Sequence, residues 1–465
     1  FRNALSGIIK EAKVIGATLS KFIIDDQIWN WKPDVTVVDE ASMAPFPSVM
    51  AAALQSRKRQ MLFGDFRQLP PICISESTSA KLWLARDTFD IAGVKARIDS
   101  DESDPRVKML ETQYRMSHDI CDVVSKLAYN GKLKTDPTVQ SKVKQIIDIE
   151  PWSGHSVILI NTSGLSPICF REPKTGSFSR INLIHCVLTT TFAQFALKAG
   201  SENIGIISPY RANARVSSYL NYKNCEKGLV TAATVHRFQG SERDIIFFDL
   251  ADAPFEKGAS NLTGKVYDTA LRLINVGISR PKGKLVVIAD VEFIMETHDY
   301  NSPARKLVNL IKDQGNVVKL DVGALKDISD QTPFRWFEKW GDLQNEILDD
   351  LNDRKGPVFI NLHNQFSVER PLADALDANS KNGFETIVFT PISNVEALED
   401  TEIDIRLINP PGGFLALIGP KIIYLGSCYP ESCFVRFEDK RTSELLSQMI
   451  LGSFLAAAPP NSDME

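Results

Sequence analysis

Short apolar runs that end in polar or acidic residues recur along this chain of 465 residues. Near the start, Val35–Val38 runs into Asp-Glu and Gln60–Phe63 runs into Gly-Asp. Continuous apolar runs of this length are typical of strands that are buried on both faces of a parallel sheet. Because ligands of open α/β sheets bind at the carboxyl ends of the strands, we expect these acidic residues to lie at a binding edge.

The alternation of strand-like and helix-like segments continues to about residue 295. It predicts strands at Ile204–Ser208, Asp244–Asp249 and Leu285–Ala289, with helical segments such as Cys186–Lys198 between strands. Alternating strands and helices favour a parallel, right-handed α/β sheet. The polar segment Asp101–Pro105 contains a helix breaker and is a predicted linker. We therefore expect one domain over residues 1–105 and a second over residues 106–295.

A different pattern follows, from which we expect a connector over residues 296–340 and an accessory domain over residues 341–465. The accessory domain has predicted helices at Leu343–Leu351 and Pro371–Asn382, and predicted strands at Val358–Leu362, Thr386–Phe389, Ile403–Leu407, Phe414–Ile418 and Lys421–Leu425. The connector ends in an aromatic patch in which Trp336 and Trp340 are four residues apart. Residues at this spacing share a helix face, so we interpret the patch as core or as the inward face of a docking helix, with base stacking as the alternative.

The composition is that of an ordinary globular protein, with 43% hydrophobic and 24% charged residues. No apolar run approaches the roughly 18 residues of a membrane span and no signal peptide is visible, so we expect a soluble protein of the cytoplasm, or of the nucleus in a eukaryote. The seven cysteines form no C-x-x-C pair, which favours reduced thiols. The net charge of −5 neither favours nor excludes nucleic-acid binding, because a cleft can be basic on an acidic protein.

Acidic and amide side chains follow the first two predicted strands. Asp39 and Glu40 follow a buried strand, which is the Walker B arrangement. In this arrangement Asp39 holds Mg²⁺, usually through water, and Glu40 orients the attacking water. Gln68 follows the second strand closely and could sense the γ-phosphate. We therefore expect ATP and Mg²⁺ as cofactors.

The chain resembles superfamily 1 helicases of the branch that includes the nonsense-mediated-decay helicase and senataxin. The segments that carry this resemblance, in family order, are Val35–Ser42, Met61–Pro71, Leu110–Met116, Ile206–Asn213, Thr234–Asp244 and Asn275–Arg280. The resemblance extends over residues 11–290. The resemblance implies two RecA-like lobes, the first of them incomplete, that translocate 5′ to 3′ on single-stranded DNA or RNA at the expense of ATP.

The resemblance also implies roles for particular residues. Arg115 and Arg280 match the arginine fingers that neutralise the transferred phosphate. The residues that match nucleotide-binding positions are Tyr114 on the adenine face, Arg211 on the γ-phosphate side, Gln239 and Gly240 at the lobe interface, and Glu242 at the ribose. Those that match nucleic-acid contacts are Thr18, Ser20, Pro209, Thr234 and His236.

The chain departs from the family pattern at several positions. No G-x-x-x-x-G-K-[ST] phosphate loop precedes Asp39, and the near match at Gly258–Val266 has the wrong spacing and lacks the hydroxyl residue. We therefore expect the phosphate loop upstream of Phe1, in a longer polypeptide. Asn213 stands where the family has Gln, and Pro281 follows Arg280, where a ring without an N–H stiffens the segment.

The end of the accessory domain, around Gly426-Ser427, resembles phospholipase D-like nuclease domains. Those enzymes use the His and Lys of an H-x-K-x₄-D motif to attack a phosphodiester. Aligned on Gly426-Ser427, the His, Lys and Asp positions fall on Gly412, Phe414 and Gly419. The resemblance therefore implies an inactive nuclease fold used for docking, self-association or strand binding, and a generic small α/β domain is the alternative.

Two functions fit these patterns. The first is an ATP-driven helicase or translocase on single-stranded nucleic acid, acting in nucleic-acid defence or repair. The second is an ATP-gated scaffold that clamps a strand without unwinding and recruits a protein partner through the accessory domain. Strand displacement coupled to ATP turnover would distinguish the first from the second.

Overall fold

The computed structural model describes residues 2–172, 179–256, 261–262, 267–327, 331–391, 396–398, 400–407 and 413–451. The chain forms two compact units, Phe1–Glu111 and Thr112–Glu465. Both contain parallel β-sheet and helices, so the predicted α/β class is confirmed.

The first unit is built around one pair of parallel strands. Its helices and strands are α1 (Arg2–Glu11), α2 (Leu19–Ile24), α3 (Asp26–Asn30), β1 (Val35–Val38), α4 (Phe46–Gln55), β2 (Arg59–Leu62), α5 (Thr78–Leu84), α6 (Thr88–Ile91) and α7 (Val94–Asp99). Val38 pairs with Leu62 in the parallel register. Both predicted strands are present, with β2 shifted by one residue toward the amino end. Because the strands are parallel, their carboxyl ends meet at one edge.

One face of this two-stranded sheet is open to solvent in the first unit. Val35 and Val37 on β1 are 42% and 57% exposed, and Met61 and Phe63 on the second run are 47% and 43% exposed. The other face packs Val38 and Leu62 against α4 and α2, through residues such as Ala52 and Phe22. Parallel sheets in other proteins are normally covered on both faces.

The second unit begins with a six-stranded, wholly parallel sheet. The helices and strands of this part of the unit are β3 (Thr112–Gln113), α8 (His118–Ala128), β4 (Lys134–Thr135), α9 (Thr138–Ile147), β5 (Val157–Asn161), β6 (Phe170–Arg171), β7 (Arg180–Ile181), α10 (Leu183–Lys198), β8 (Ile204–Ser208), α11 (Arg211–Leu220), α12 (Tyr222–Glu226), β9 (Val230–Thr234), α13 (Val235–Phe238), β10 (Arg243–Asp249), α14 (Tyr267–Ile278), β11 (Pro281–Ala289), α15 (Val291–Thr297), α16 (Pro303–Asp313), β12 (Val317–Lys319) and α17 (Val322–Asp327). The strand order in the six-stranded sheet is β12-β5-β11-β10-β8-β9, while β3 pairs with β4 and β6 pairs with β7 outside it. The three strands predicted here are all present.

The rest of the second unit is a mixed seven-stranded sheet with helices. Its elements are β13 (Arg335–Lys339), α18 (Trp340–Asp353), β14 (Val358–Asn361), α19 (Arg370–Lys381), β15 (Thr386–Thr390), β16 (Asp404–Leu407), β17 (Leu415–Ile418), β18 (Ile422–Gly426), β19 (Glu431–Glu438) and α20 (Lys440–Leu446). The order is β13-β19-β18-β17-β14-β15-β16. All predicted elements of this region are present, while the sequence pattern missed β13, β19 and α20.

The aromatic patch corrects one prediction and confirms another. Trp336 lies in β13 and Trp340 begins α18, so the patch is not one helix face. Both side chains are buried, at 4% and 5% exposure, which confirms the interpretation as core rather than base-stacking surface. The spacing of four was misleading because antiparallel pairing of β13 with β19 overrides the local helical pattern.

The two sheets of the second unit share one hydrophobic core. This core joins residues of β5, α10 and β8 to residues of β13, β15, β17, β18, β19 and α20. A second core, on the opposite face of the seven-stranded sheet, packs that sheet against α18 and α19. The region predicted as a connector contributes β12 to one sheet and β13 to the other.

In the described part of the chain, no helix is long and apolar enough to cross a membrane. The seven cysteines are free, and five of them are buried. This agrees with the prediction of reduced thiols.

Candidate nucleotide and nucleic-acid sites

Asp39 and Glu40 lie at the carboxyl end of β1 with exposed side chains. The Glu40 backbone N–H donates to Asp39 Oδ1 over 2.9 Å. Glu40 has a left-handed backbone with φ +51°, a conformation that costs a non-glycine residue roughly 1–3 kcal/mol. Two exposed carboxylates at the end of a parallel strand suit a hydrated Mg²⁺, which needs only one or two protein carboxylates beside phosphate oxygens.

The end of β2 lies directly beside this pair. The Ala41 N–H donates to the Phe63 carbonyl over 2.8 Å. A Cβ on Gly64 would come within 2.9 Å of the Ser42 backbone nitrogen, so only glycine allows this approach. Gln68 Nε2 donates to Asp65 Oδ2 over 3.0 Å. The structure thus joins the segments of Asp39, Glu40 and Gln68 at one edge.

A turn at the start of the second unit displays Tyr114 and Arg115. Gln113 holds this turn with both ends of its side-chain amide. Its Oε1 accepts from the Arg115 and Met116 backbone N–H groups, over 2.7 and 2.8 Å, and its Nε2 donates to the Met116 carbonyl and to Thr135 Oγ1. Tyr114 is 66% exposed. The exposed ring is available for stacking on a flat ligand.

Arg115 lies in a cluster of charges at the amino ends of β10 and β11. Arg115 Nε is 3.1 Å from Glu242 Oε2, and Lys282 Nζ is 3.0 Å from Glu242 Oε1 and 3.5 Å from Asp244 Oδ1. Partial burial opposes ionisation, yet Lys282 and Arg115 lower the pKa of Glu242 below its ordinary value. The hydrogen bond to Glu242 raises the pKa of Lys282. Glu242 and Lys282 are therefore both charged at neutral pH.

Arg280 differs from Arg115 because it is buried, with 2% of its surface exposed. Its guanidinium donates to the Val276 carbonyl over 3.0 Å, to the Ser241 carbonyl over 3.4 Å and to Ser279 Oγ over 3.2 Å. These bonds tie the loop before β10 to the end of α14. The side chain is held by backbone groups rather than presented to solvent.

The loop between α13 and β10 carries Gln239 and Gly240. Gly240 has φ +73°, which favours glycine. The side-chain amide of Gln239 is buried, and neither its nitrogen nor its oxygen has a hydrogen-bond partner among the described residues. An unpaired buried amide costs about 1–3 kcal/mol unless a ligand or water satisfies it.

Arg211 is not part of this cluster. It begins α11 immediately after β8, and β8 runs parallel to β10. Arg211 therefore lies at the carboxyl edge of the six-stranded sheet, whereas Glu242 precedes the amino end of β10. The structure separates these two residues by the length of the sheet.

The carboxyl edge holds the residues predicted to contact nucleic acid in this unit. Ser208 pairs with Thr234 at the ends of β8 and β9, which brings Thr234 close to the Pro209 segment. Pro209 is buried, Thr234 is half-buried, and His236 is exposed beside them. Arg211 and Arg237 are also exposed, and neither forms an ion pair with another described residue. The sequence reading did not single out Arg237.

Asn213, which stands where the resembling helicases have Gln, belongs to a buried hydrogen-bond network. It is fully buried, donates to Asp249 Oδ2 over 2.6 Å and accepts from the Asn182 N–H over 2.9 Å. Asp249 also bonds His185 Nδ1 over 2.8 Å. These contacts fix the first turn of α11, where Arg211 lies.

Thr18 and Ser20 lie in the first unit, where both are exposed. Thr18 is the N-cap of α2, and its hydroxyl accepts from the Lys21 N–H over 3.1 Å.

Sequence reasoning missed the roles of Gln113 and Lys282. Gln113 stood inside a recognised segment, and Lys282 lies two residues after Arg280, but only the fold brings Lys282 to Glu242.

Comparison with known proteins gives matches over the first two thirds of the chain. Residues 2–76 match one family model and residues 96–292 another, each described as an AAA domain. The DNA replication ATP-dependent helicase/nuclease DNA2 of Bos taurus is 27% identical over 62% of this chain and 27% of its own length. An uncharacterized ATP-dependent helicase of Methanocaldococcus jannaschii is 29% identical over 64% of this chain and 42% of its own length. The helicase sen1 of Schizosaccharomyces pombe is 25% identical over 69% of this chain and 19% of its own length.

The chain spans less than half the length of these curated relatives. Among solved structures, NucT from Helicobacter pylori matches with 17% identity and a TM-score of 0.21, over 26% of this chain and 96% of that chain. A TM-score this low supports no conclusion.

Proposed function

We propose that the protein is a nucleic-acid-dependent ATPase, because residues 2–76 and 96–292 match AAA domains and are similar to helicases of the DNA2 and Sen1 type. It moves 5′ to 3′ along single-stranded DNA or RNA and uses ATP with Mg²⁺. The observation that carries the proposal is that the ends of β1 and β2 meet at one edge. In the proposal, the carboxylate of Asp39 holds the metal ion at this edge and the carboxylate of Glu40 orients the attacking water. The amide of Gln68 follows the second strand.

The residues of the second unit that match nucleotide-binding positions have their own roles in this proposal. Arg115 contributes positive charge to the phosphate, Tyr114 stacks on the base, and Glu242 contacts the ribose. Gln239 and Gly240 transmit nucleotide binding to the neighbouring strands. Two observations support these roles: the exposed ring of Tyr114, and the buried amide of Gln239, which has no hydrogen-bond partner among the described residues.

Arg211 belongs, in this proposal, to the nucleic-acid interface rather than to the nucleotide site. It shares the carboxyl edge of the sheet with Pro209, Thr234, His236 and Arg237. Exposed cations at such an edge suit backbone phosphates, which bind without regard to base sequence. In the first unit, Thr18 and Ser20 contact nucleic acid through their hydroxyls in this proposal.

Turnover requires a phosphate loop, and the 465 residues contain no G-x-x-x-x-G-K-[ST] sequence. The first test therefore uses a form of the protein that also carries such a loop. Glu40→Gln should retain ATP binding and lose strand-stimulated turnover by about 10² to 10⁴, the contribution of a positioned general base. Steady-state ATPase with single-stranded DNA or RNA and equilibrium binding of ATP measure the two quantities.

Glu11→Gln, an exposed change at the end of α1, is the matched control and should leave turnover unchanged. Wild-type turnover in Glu40→Gln would remove Glu40 from its proposed role. Displacement of a duplex during turnover would favour a helicase, whereas ATP-dependent strand binding without displacement would favour the scaffold.

The tail, residues 341–465, is proposed to be a catalytically inactive accessory domain. Phe414 lies where a phospholipase D-like nuclease has its lysine, and its buried ring contacts Trp340, Phe366 and Phe434. Gly419 lies in a turn with φ +57°, and Gly412 falls outside the described residues. Neither Phe414 nor Gly419 can hold a phosphate or attack one.

The chain of 465 residues should therefore cleave neither single-stranded nor double-stranded nucleic acid, with or without divalent metal. A gel assay on end-labelled substrates measures this. Cleavage that co-purifies with the folded chain and is lost in Phe414→Leu would contradict the proposal, because the phenyl ring would then be part of an active site.

A further inference from the structure

Two cationic side chains and two carboxylates meet at the amino ends of β10 and β11. The cations are Arg115 and Lys282, and the carboxylates are Glu242 and Asp244. Glu242 is central, because each of its two oxygens faces a different cation, Arg115 at 3.1 Å and Lys282 at 3.0 Å. Its side chain is 46% exposed, so this bridge can be reached by a solute.

The backbone keeps the two cations together independently of Glu242. The Ser117 N–H donates to the Lys282 carbonyl over 2.8 Å, which ties the Arg115 turn to the start of β11. Gln113 fixes the same turn from its other side. Removing Glu242 would therefore leave two adjacent cations at a fixed site rather than two cations that move apart.

We propose that Glu242 is a built-in counter-ion that occupies a polyphosphate site formed by Arg115 and Lys282. An incoming polyphosphate displaces the Glu242 carboxylate from both cations. Lys282 thereby becomes a phosphate-binding residue. The inference rests on the proposed function, because it concerns the same nucleotide site and names a further residue that binds its phosphates.

Two observations favour this exchange. A carboxylate shared by two cations places one negative charge where a phosphate would place several, so a polyphosphate can replace it with a gain in charge pairing. The buried amide of Gln239 lies three residues before Glu242 and lacks a partner among the described residues. An oxygen-rich ligand near this loop would give that amide an acceptor for its N–H groups.

The test measures binding of inorganic tripolyphosphate to the chain of 465 residues by calorimetry, at low salt and without divalent metal. Glu242→Gln should bind tripolyphosphate about tenfold more tightly than the wild type, because it keeps the shape of Glu242 and removes the competing charge. Lys282→Met and Arg115→Met should each weaken binding. Glu242→Gln combined with Asp244→Asn should bind at least as tightly as Glu242→Gln, because Asp244 also faces Lys282.

Asp148→Asn is the matched control. It removes a carboxylate from the exposed Lys144–Asp148 pair on α9, whose atoms are 2.7 Å apart, and should leave tripolyphosphate binding unchanged. Circular dichroism before each titration establishes that the variants are folded.

The outcomes separate the inference from the proposed function. If tripolyphosphate binding needs Arg115 but does not tighten in Glu242→Gln, the counter-ion role is overturned while a phosphate role for Arg115 stands. If Glu242→Gln binds more tightly while the loop-carrying protein shows no strand-stimulated turnover, the anion site stands and the proposed function fails. If neither the wild type nor Glu242→Gln binds tripolyphosphate, the inference is overturned.

Discussion

Two arginines in the second unit differ in burial, and this difference predicts different roles for them. Arg115 and Arg280 both match arginine-finger positions of the resembling helicases, but their surroundings differ. Arg115 is 39% exposed and pairs with a carboxylate, whereas Arg280 is buried and donates to two backbone carbonyls. Removing a buried charged donor leaves its acceptors unsatisfied, at about 1–3 kcal/mol for each.

Arg115→Ala should therefore lower ATPase turnover of the loop-carrying protein by a factor of about 10³ or more, with little change in melting temperature. Arg280→Ala should lower turnover and also destabilise the second unit by about 3 kcal/mol. Differential scanning fluorimetry and ATPase per folded molecule separate the two effects. Full turnover per folded molecule in Arg280→Ala would make Arg280 a purely structural residue.

At the scale of elements, ion pairs attach α18 to the antiparallel strands of the seven-stranded sheet. Arg436 on β19 forms two bonds to Asp350 on α18, over 2.7 and 2.8 Å. Glu438 on the same strand accepts from Lys421 over 2.6 Å and from Arg354 over 2.8 Å. The hydrogen bond from Lys421, helped by Arg436 and Arg354, lowers the pKa of Glu438 to about 2, although partial burial opposes this.

This pKa predicts how stability depends on pH. The ordinary value is 4.5 and the folded value is about 2, so Glu438 stabilises the fold fully above pH 4.5. The contribution is lost as the pH falls toward 2, because the unfolded chain then binds a proton that the folded chain does not. The difference in free energy of unfolding between the wild type and Glu438→Gln should be constant above about pH 5 and shrink below pH 4.5. Urea titrations from about pH 3 to 7 measure it, and a difference that grows with acidity would contradict the assignment.

At the scale of the molecule, the two sheets of the second unit depend on one core. β18 makes this dependence testable, because its successive side chains point to opposite faces. Ile423 belongs to the core shared with α10, whereas Ile422 belongs to the core shared with α18 and α19. Both are fully buried.

Ile423→Ala and Ile422→Ala should each cost about 2–5 kcal/mol, because each leaves a cavity of similar size. Hydrogen exchange should distinguish them. Ile423→Ala should accelerate exchange in α10 of the AAA-domain region, while Ile422→Ala should accelerate it in α18 and leave α10 unchanged. Equal acceleration of α10 in both variants would mean that the two cores open together.

The apolar pattern by itself determined most strands and helices. Val35–Val38, Ile204–Ser208 and Val358–Asn361 correspond to short apolar runs, because a short run of consecutive apolar residues favours a strand. The pattern also fixed the edge that carries Asp39, because the carboxyl ends of parallel strands lie at the same end of the sheet. It could not identify β13, since the Trp336 segment has a helical spacing and becomes a strand only by pairing with β19.

Only the tertiary structure decided which charged residues meet. Lys282 and Arg115 are far apart in sequence and share Glu242 because β10 and β11 are neighbours in the sheet. The same strand order separates Arg211 from that cluster, although the family resemblance had placed both at the nucleotide site. Likewise, no pattern within a single element of the sequence predicts that the seven-stranded sheet packs against α10 in one core. Periodicity along a chain specifies which face of an element is apolar, while the partner of that face depends on the packing of the whole fold.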